Sequence, residues 1–192
     1  MHRLFNSIFM ISNPHPTHPR ASEYAARIKL MIFDVDGVLT DGLVHLGERG
    51  ELFKSFHILD GHGIKLLAQA GVVSAIITGR TSTMVAQRAV ELGVTHLYQG
   101  VHNKLDAFAQ LLTQTGLTAQ ACGHMGDDWP DMGLMMTVGF AACPAQAHSE
   151  VRSRSHYVAQ ARGGQGAVRE VCDLILQAQG HYEKLLTQAL GK

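Results

Sequence analysis

The sequence predicts an α/β fold: one doubly wound, mostly parallel sheet with helices on both faces, a small β-hairpin flap and no cap domain. Three observations predict it. Short apolar runs of strand length alternate with longer amphipathic segments from residue 29 onward. Several of these runs are continuously apolar, as strands covered on both faces are. Polar groups follow four of them (Asp34/Asp36, Thr78/Arg80, the Gln99–Lys104 segment and Asp127/Asp128/Asp131), and open α/β sheets hold ligands at the carboxyl ends of their strands.

The elements follow in order. Residues 1–20, rich in Pro and His, are expected to form a flexible tail, and residues 21–192 a single domain. A short helix over Ser22–Arg27 leads into the first strand, Lys29-Leu30-Met31-Ile32-Phe33. Leu43–Leu46 and Glu51–Phe56 flank Gly47-Glu48-Arg49-Gly50, which predicts a β-hairpin within about 42–57. Asp60-Gly61-His62-Gly63 opens a helix over Ile64–Ala70 that Gly71 ends. Val72–Ile77 is the next strand. Thr81 or Ser82 caps a helix that reaches Leu92 and stops at Gly93.

Val94–Tyr98 is a short strand. His102–Thr115 places Leu105, Phe108, Leu111 and Leu112 on one helical face. Strand Ala121–Met125 runs into Gly126-Asp127-Asp128-Trp129-Pro130-Asp131, then a helix over 132–136 and a strand over 138–142. A short helix near 145–153, a strand over 156–159, a glycine-rich loop at 162–166 and a helical stretch over 167–190 complete the domain.

The 192 residues suffice for one well-buried core. Lys+Arg and Asp+Glu are both 16, so the basic excess of a phosphate-backbone binder is missing and no nucleic-acid partner is expected. No apolar run spans a bilayer, and no membrane partner is expected. Residues 1–12 carry a short apolar core and no small-residue cleavage site, which fits a flexible tail better than a signal peptide. Cys122, Cys143 and Cys172 show no CxxC spacing, which fits a reducing cytoplasm better than a disulfide framework or a zinc site.

Asp34 and Asp36 stand at the end of a buried strand, and alternation directs both to one side. Paired carboxylates there are costly without a cation or a proton between them. Asp127 and Asp128 follow a second strand in the same way. Either pair alone reads as a helix cap. Together, with Thr78 and Lys104, they point to Mg²⁺ and phosphoryl chemistry, because hard oxygen ligands in that number suit Mg²⁺. Asp34 is placed to attack phosphorus, and Asp36 to act as acid and then base. Thr78, read as lying at a helix N-terminus, and Lys104 would hold the phosphoryl group.

Asp34-Val35-Asp36-Gly37-Val38, Ile76-Ile77-Thr78-Gly79-Arg80, Lys104 and Gly126-Asp127-Asp128-x-x-Asp131 resemble, in order, the four motifs of the haloacid dehalogenase superfamily. The resemblance is closer to its 3-deoxy-D-manno-octulosonate 8-phosphate (Kdo 8-phosphate) phosphatase branch. It extends through Thr40-Asp41-Gly42, Gly50-Glu51-x-x-Lys54-x-Phe56, Asp60-Gly61-x-Gly63-Ile64, Thr95–Gly100, Asn103-Lys104 and Gly163-Gly164-x-Gly166-Ala167-Val168-Arg169-Glu170. These matches cover nearly everything from Lys29 to Glu170.

The resemblance implies a Mg²⁺-dependent phosphoric monoester hydrolase of lipopolysaccharide precursor synthesis, acting through an aspartyl-phosphate. Asp34 would be nucleophile and metal ligand, Asp36 acid/base and backbone-carbonyl ligand, and Asp127 the other metal ligand. Asp128 and Asp131 would support the metal site. Lys54, Asp60, Arg80 and Arg162 are expected at an acidic sugar phosphate. The intervals Gly37–Thr78 and Lys104–Asp127 have no room for a cap, so the site would be open and wet. The family pattern closes it by forming a homotetramer in which hairpins associate and a neighbour's glycine-rich loop reaches the site.

Three positions depart from the pattern. Gln165 stands where many relatives carry Arg, His62 fills the variable place of its motif, and Met132-Gly133 replaces Leu-Pro. Two alternatives stand beside the leading reading. One is a phosphatase for a related nonulosonate 9-phosphate. The other, of a different class, is a receiver-like phospho-accepting signalling module, which lacks an Asp two residues after its phosphorylated Asp.

Overall fold

A computed structural model describes residues 18–48 and 50–191, so the tail expected over 1–20 lies almost wholly outside the described residues. Six parallel strands form one sheet: β1 (Leu30–Phe33), β4 (Val73–Ile77), β5 (His96–Tyr98), β6 (Cys122–Met125), β7 (Phe140–Cys143) and β8 (Tyr157–Val158). β2 (His45–Gly47) and β3 (Gly50–Phe53) pair antiparallel as the predicted hairpin. The large sheet runs β5-β4-β1-β6-β7-β8. β1 is central, with Ile32 in register with Ala75 on one side and His124 on the other. The order reverses direction at β1, where α/β sheets open a crevice.

The apolar run Leu30–Phe33 is wholly buried because both faces of β1 are covered. Leu30 and Ile32 pack with Phe108 and Leu111 of α4 (Lys104–Thr115) and Leu134 of α5 (Trp129–Met135). Met31 and Phe33 pack with Ile64 and Leu67 of α2 (Ile58–Gln69) and with Val168, Val171 and Ile175 of α7 (Ala167–Ala178). Each such side chain contributes about 1.5–3 kcal/mol of burial. Helices α1 (Ala21–Ala25), α3 (Thr83–Leu92), α6 (Ser149–Arg152) and α8 (Tyr182–Ala189) complete the fold. Among the described residues, the segment between β1 and β4 holds a turn, the hairpin and α2, with no further domain.

Three boundaries differ from the sequence reading. α2 starts at Ile58, so Asp60, Gly61 and Gly63 lie inside it instead of opening it. Small residues there admit close neighbours: a Cβ on Gly61 would meet Arg88 at 2.3 Å. The C-terminal helical stretch breaks into α7 and α8 at Gly180, whose φ of 73° suits glycine. α5 begins at Trp129, three residues before the expected start at 132, so Asp131 lies inside it.

Candidate active site

The carboxyl ends of β1, β4 and β6 open onto a cleft of about 260 Å³ lined by Asp34, Asp36, Thr78, Arg80, Lys104 and Asp127, among others. Asp128 and Asp131 also line it. The sequence therefore brought these eight residues to one place. The pairing of Asp34 with Asp36 is looser than alternation predicted. β1 ends at Phe33 and the chain turns from Val35 onward, so the strand period does not reach Asp36. Asp34 instead faces Lys104, with Nζ 2.9 Å from Oδ1. Asp36 is gripped by Lys54 and, at 3.7 Å, by Arg80. Glu51 closes the ring, 3.0 Å from Lys54 and 3.1 Å from Arg80, and so ties the hairpin to the site.

Lys104, the first residue of α4, is buried and lies 2.6 Å from Asp131 Oδ1. Burial opposes its charge, but Asp34 and Asp131 outweigh that and raise its pKa. Burial alone would also raise Asp131, yet His124 and Lys104 hold it below the usual carboxylate range. Its Oδ2 accepts the backbone N–H groups of Asp127 (3.1 Å) and Asp128 (3.4 Å), which fixes the start of α5. Gly126 makes room for this, since a Cβ there would lie 2.3 Å from the Asp131 side chain. Burial, with the charges of Asp131, Asp34 and Asp128, pushes Asp127 up to about 7. Burial likewise raises Asp34, against the pull of Lys104.

No protein-family model matches the chain. Curated relatives do. Over 175 residues the chain is 43% identical to the 3-deoxy-D-manno-octulosonate 8-phosphate phosphatase KdsC of Salmonella typhimurium, spanning 91% of this chain and 93% of that one. Over 166 residues it is 45% identical to the protein of that name in Escherichia coli strain K12, spanning 86% and 88%. The chain belongs to the Kdo 8-phosphate phosphatase family. The solved structure of the Moraxella catarrhalis member, in complex with magnesium ion, phosphate ion and KDO, matches with a TM-score of 0.86 at 40% identity, covering 89% of this chain and 99% of that one. The Yersinia pestis member gives 0.84 at 44%, covering 86% and 89%.

The residues of this Kdo 8-phosphate phosphatase family member fit a Mg²⁺ ion. Oxygens of Asp34, Asp127 and Asp131 lie within 4.8 Å of one another. Asp34 Oδ1 is buried with the Lys104 ammonium beside it, and Asp127 resists ionising without a further cation. Asp131 is different, because both its oxygens already accept donors. Asp34 and Asp127 thus remain as the carboxylates a hard cation would take.

Several expectations need correction. Thr78 does not lie at a helix N-terminus. Its N–H donates to Tyr98 O at 2.9 Å, so its hydroxyl is the group left for an anion. Asp60 does not line the cleft. It is buried in α2, and its carboxylate accepts from Gly166 N (3.3 Å) and Arg169 N (2.8 Å), capping α7 from outside. Arg162 is exposed and Lys54 is engaged with Asp36; neither lines the cleft.

The glycine-rich loop packs on the turn that follows β1 in its own chain. Gly164 N donates to Val38 O at 3.0 Å. Gln146 donates to Gly37 O (2.7 Å) and accepts from Gly163 N (2.9 Å). Sequence reasoning missed Gln146, Glu51 and His124. Glu51 lay within a matched motif, but Gln146 and His124 sit in loop and strand patterns that carry no mark of their role.

Proposed function

We propose that this chain hydrolyses Kdo 8-phosphate to Kdo and phosphate. The observation that carries this reading is Asp34, buried at the end of the central strand, paired with Lys104 and facing Asp127, in a chain of this family. An Asp34 oxygen attacks phosphorus and the sugar oxygen leaves, taking a proton from Asp36. Asp36 then accepts a proton from water as the water attacks the aspartyl-phosphate, and phosphate departs. Lys104 and the Thr78 hydroxyl bind phosphoryl oxygens. Asp34, Asp127 and the Asp36 backbone carbonyl would hold Mg²⁺, which supplies charge neutralisation between carboxylate and phosphate. Asp128 and Asp131 act on that site from behind. Lys54 and Arg80 orient Asp36, and Arg80, which lines the cleft, presents a cation to the sugar acid.

The hairpin supports association into a homotetramer. Leu46 is 70% exposed, and Leu43, Leu52 and Phe53 are exposed beside it, more apolar surface than an isolated hairpin carries comfortably. No described helix is long and apolar enough to cross a membrane, and the three free cysteines fit a cytoplasmic setting. Light scattering tests the assembly, and a monomer at micromolar concentration would refute it. Phosphate release from a panel of sugar acid phosphates, nonulosonate 9-phosphates included, with Mg²⁺ and with chelator, tests the activity. Release from no member overturns the proposal.

A further inference from the structure

We propose that His124 is a positioning residue for this hydrolysis: its Nε2–H, donated to Asp131 Oδ1, sets where Lys104 stands against Asp34. The inference rests on the phosphatase reading above. His124 is fully buried in the middle of β6, on the sheet face of Ile32 and Cys122, against which Leu134 of α5 packs. An apolar residue would serve packing there, and a buried imidazole is costly unless bonded. Its Nε2 lies 2.8 Å from Asp131 Oδ1 and its Nδ1 3.3 Å from Ile32 O. Both partners accept, and the shorter contact, to the carboxylate, is the one that places a proton on Nε2 as donor.

The same Asp131 oxygen accepts from Lys104 at 2.6 Å, and the same ammonium lies 2.9 Å from Asp34. One carboxylate oxygen is therefore divided between two donors, and one ammonium between two carboxylates. Without His124, the charge on Oδ1 falls on Lys104 alone and draws the ammonium toward Asp131, away from Asp34 and the transferring phosphoryl group. The other Asp131 oxygen, bound to the Asp127 and Asp128 amides, keeps the carboxylate from following. The loss falls on the chemical step more than on binding of the sugar.

The test uses the full chain with saturating Mg²⁺ and measures kcat, KM and thermal unfolding for His124→Leu and His124→Gln. Removing one hydrogen bond to a charged group lowers kcat of His124→Leu about tenfold per folded molecule, with KM unchanged within about twofold. His124→Gln, which keeps an N–H donor, recovers to within about threefold of the parent. A purely structural role would lower the folded fraction and leave kcat per folded molecule untouched, and that result overturns the proposal. If His124→Leu does not fold, nitrogen NMR of the parent ring decides: a slowly exchanging proton on Nε2 supports the placement, and an unprotonated Nε2 overturns it. A parent chain that releases no phosphate refutes the phosphatase reading, while the ring spectrum still tests the donor.

Discussion

Replacing Gly163 by Ala probes the contact between the glycine-rich loop and the catalytic turn. A Cβ at this position would lie 1.8 Å from the carbonyl oxygen of Gly37, 2.5 Å from its carbon and 2.8 Å from Gln146 Nε2. Cβ atoms do not approach heavy atoms closer than 3.0 Å, so the loop and the turn must separate by the difference. The nearest obstacle is backbone, which cannot swing aside as a side-chain tip does. Separation also breaks the Gln146 bridge and the Gly164–Val38 hydrogen bond. Overpacking of this kind costs about 1–3 kcal/mol, which lowers the melting midpoint of a chain this size by about 5 °C. The kinetic effect is larger. The displaced turn carries Asp34 and Asp36, and a shift of about 1 Å in reacting groups costs about 100-fold in rate. Phosphate-release kinetics and differential scanning calorimetry on the purified variant measure both. A Gly163→Ala chain with parental kcat and an unmoved midpoint would refute the reasoning, since it would show that loop and turn do not touch.

Three further outcomes follow from the site. Asp34→Asn abolishes turnover, to below about a thousandth of the parent, and leaves the circular dichroism spectrum intact; normal phosphate release would sink the nucleophile assignment. Asp127, whose pKa is raised to about 7 in the metal-free fold, destabilises that fold as pH rises from the ordinary carboxylate range toward 7, and full stability is present only below that range. Mg²⁺ affinity should therefore climb through the same window and level off above it, and Asp127→Asn should flatten the slope in urea unfolding with chelator. Asp60→Ala, which uncaps α7, should lower stability by about 1–2 kcal/mol in denaturant titration with KM unchanged; a raised KM with unaltered stability would return Asp60 to the substrate.

The sheet and most of the site were legible because their signals are local. Leu30–Phe33 is apolar over the length of a strand, and Asp34, Thr78 and Asp127 each stand within two residues of a strand end. What was not legible depends on geometry between distant segments. The strand alternation that paired Asp34 with Asp36 stops because β1 ends at Phe33 and the chain leaves the strand conformation at Val35. Asp60 read as a polar group near a helix start, but its partners lie over a hundred residues away on the α7 N-terminus. The cis packing of the glycine-rich loop depends on Gln146, a residue type with no preferred place in a loop. His124 was hidden by its strand, since one polar residue in an apolar run resembles an interruption until Asp131 is placed beside it.

The position of β1 also bears on how the chain is made. It is the first strand of the sheet to leave the ribosome, yet both its neighbours come later: β4 begins at Val73 and β6 at Cys122. Until then Leu30–Phe33 is an apolar strand with at least one open edge, the kind of segment that recruits other chains. The most reactive strand of the finished enzyme is thus the most vulnerable stretch of the nascent one, and conditions that delay synthesis of the second half should favour aggregation over folding.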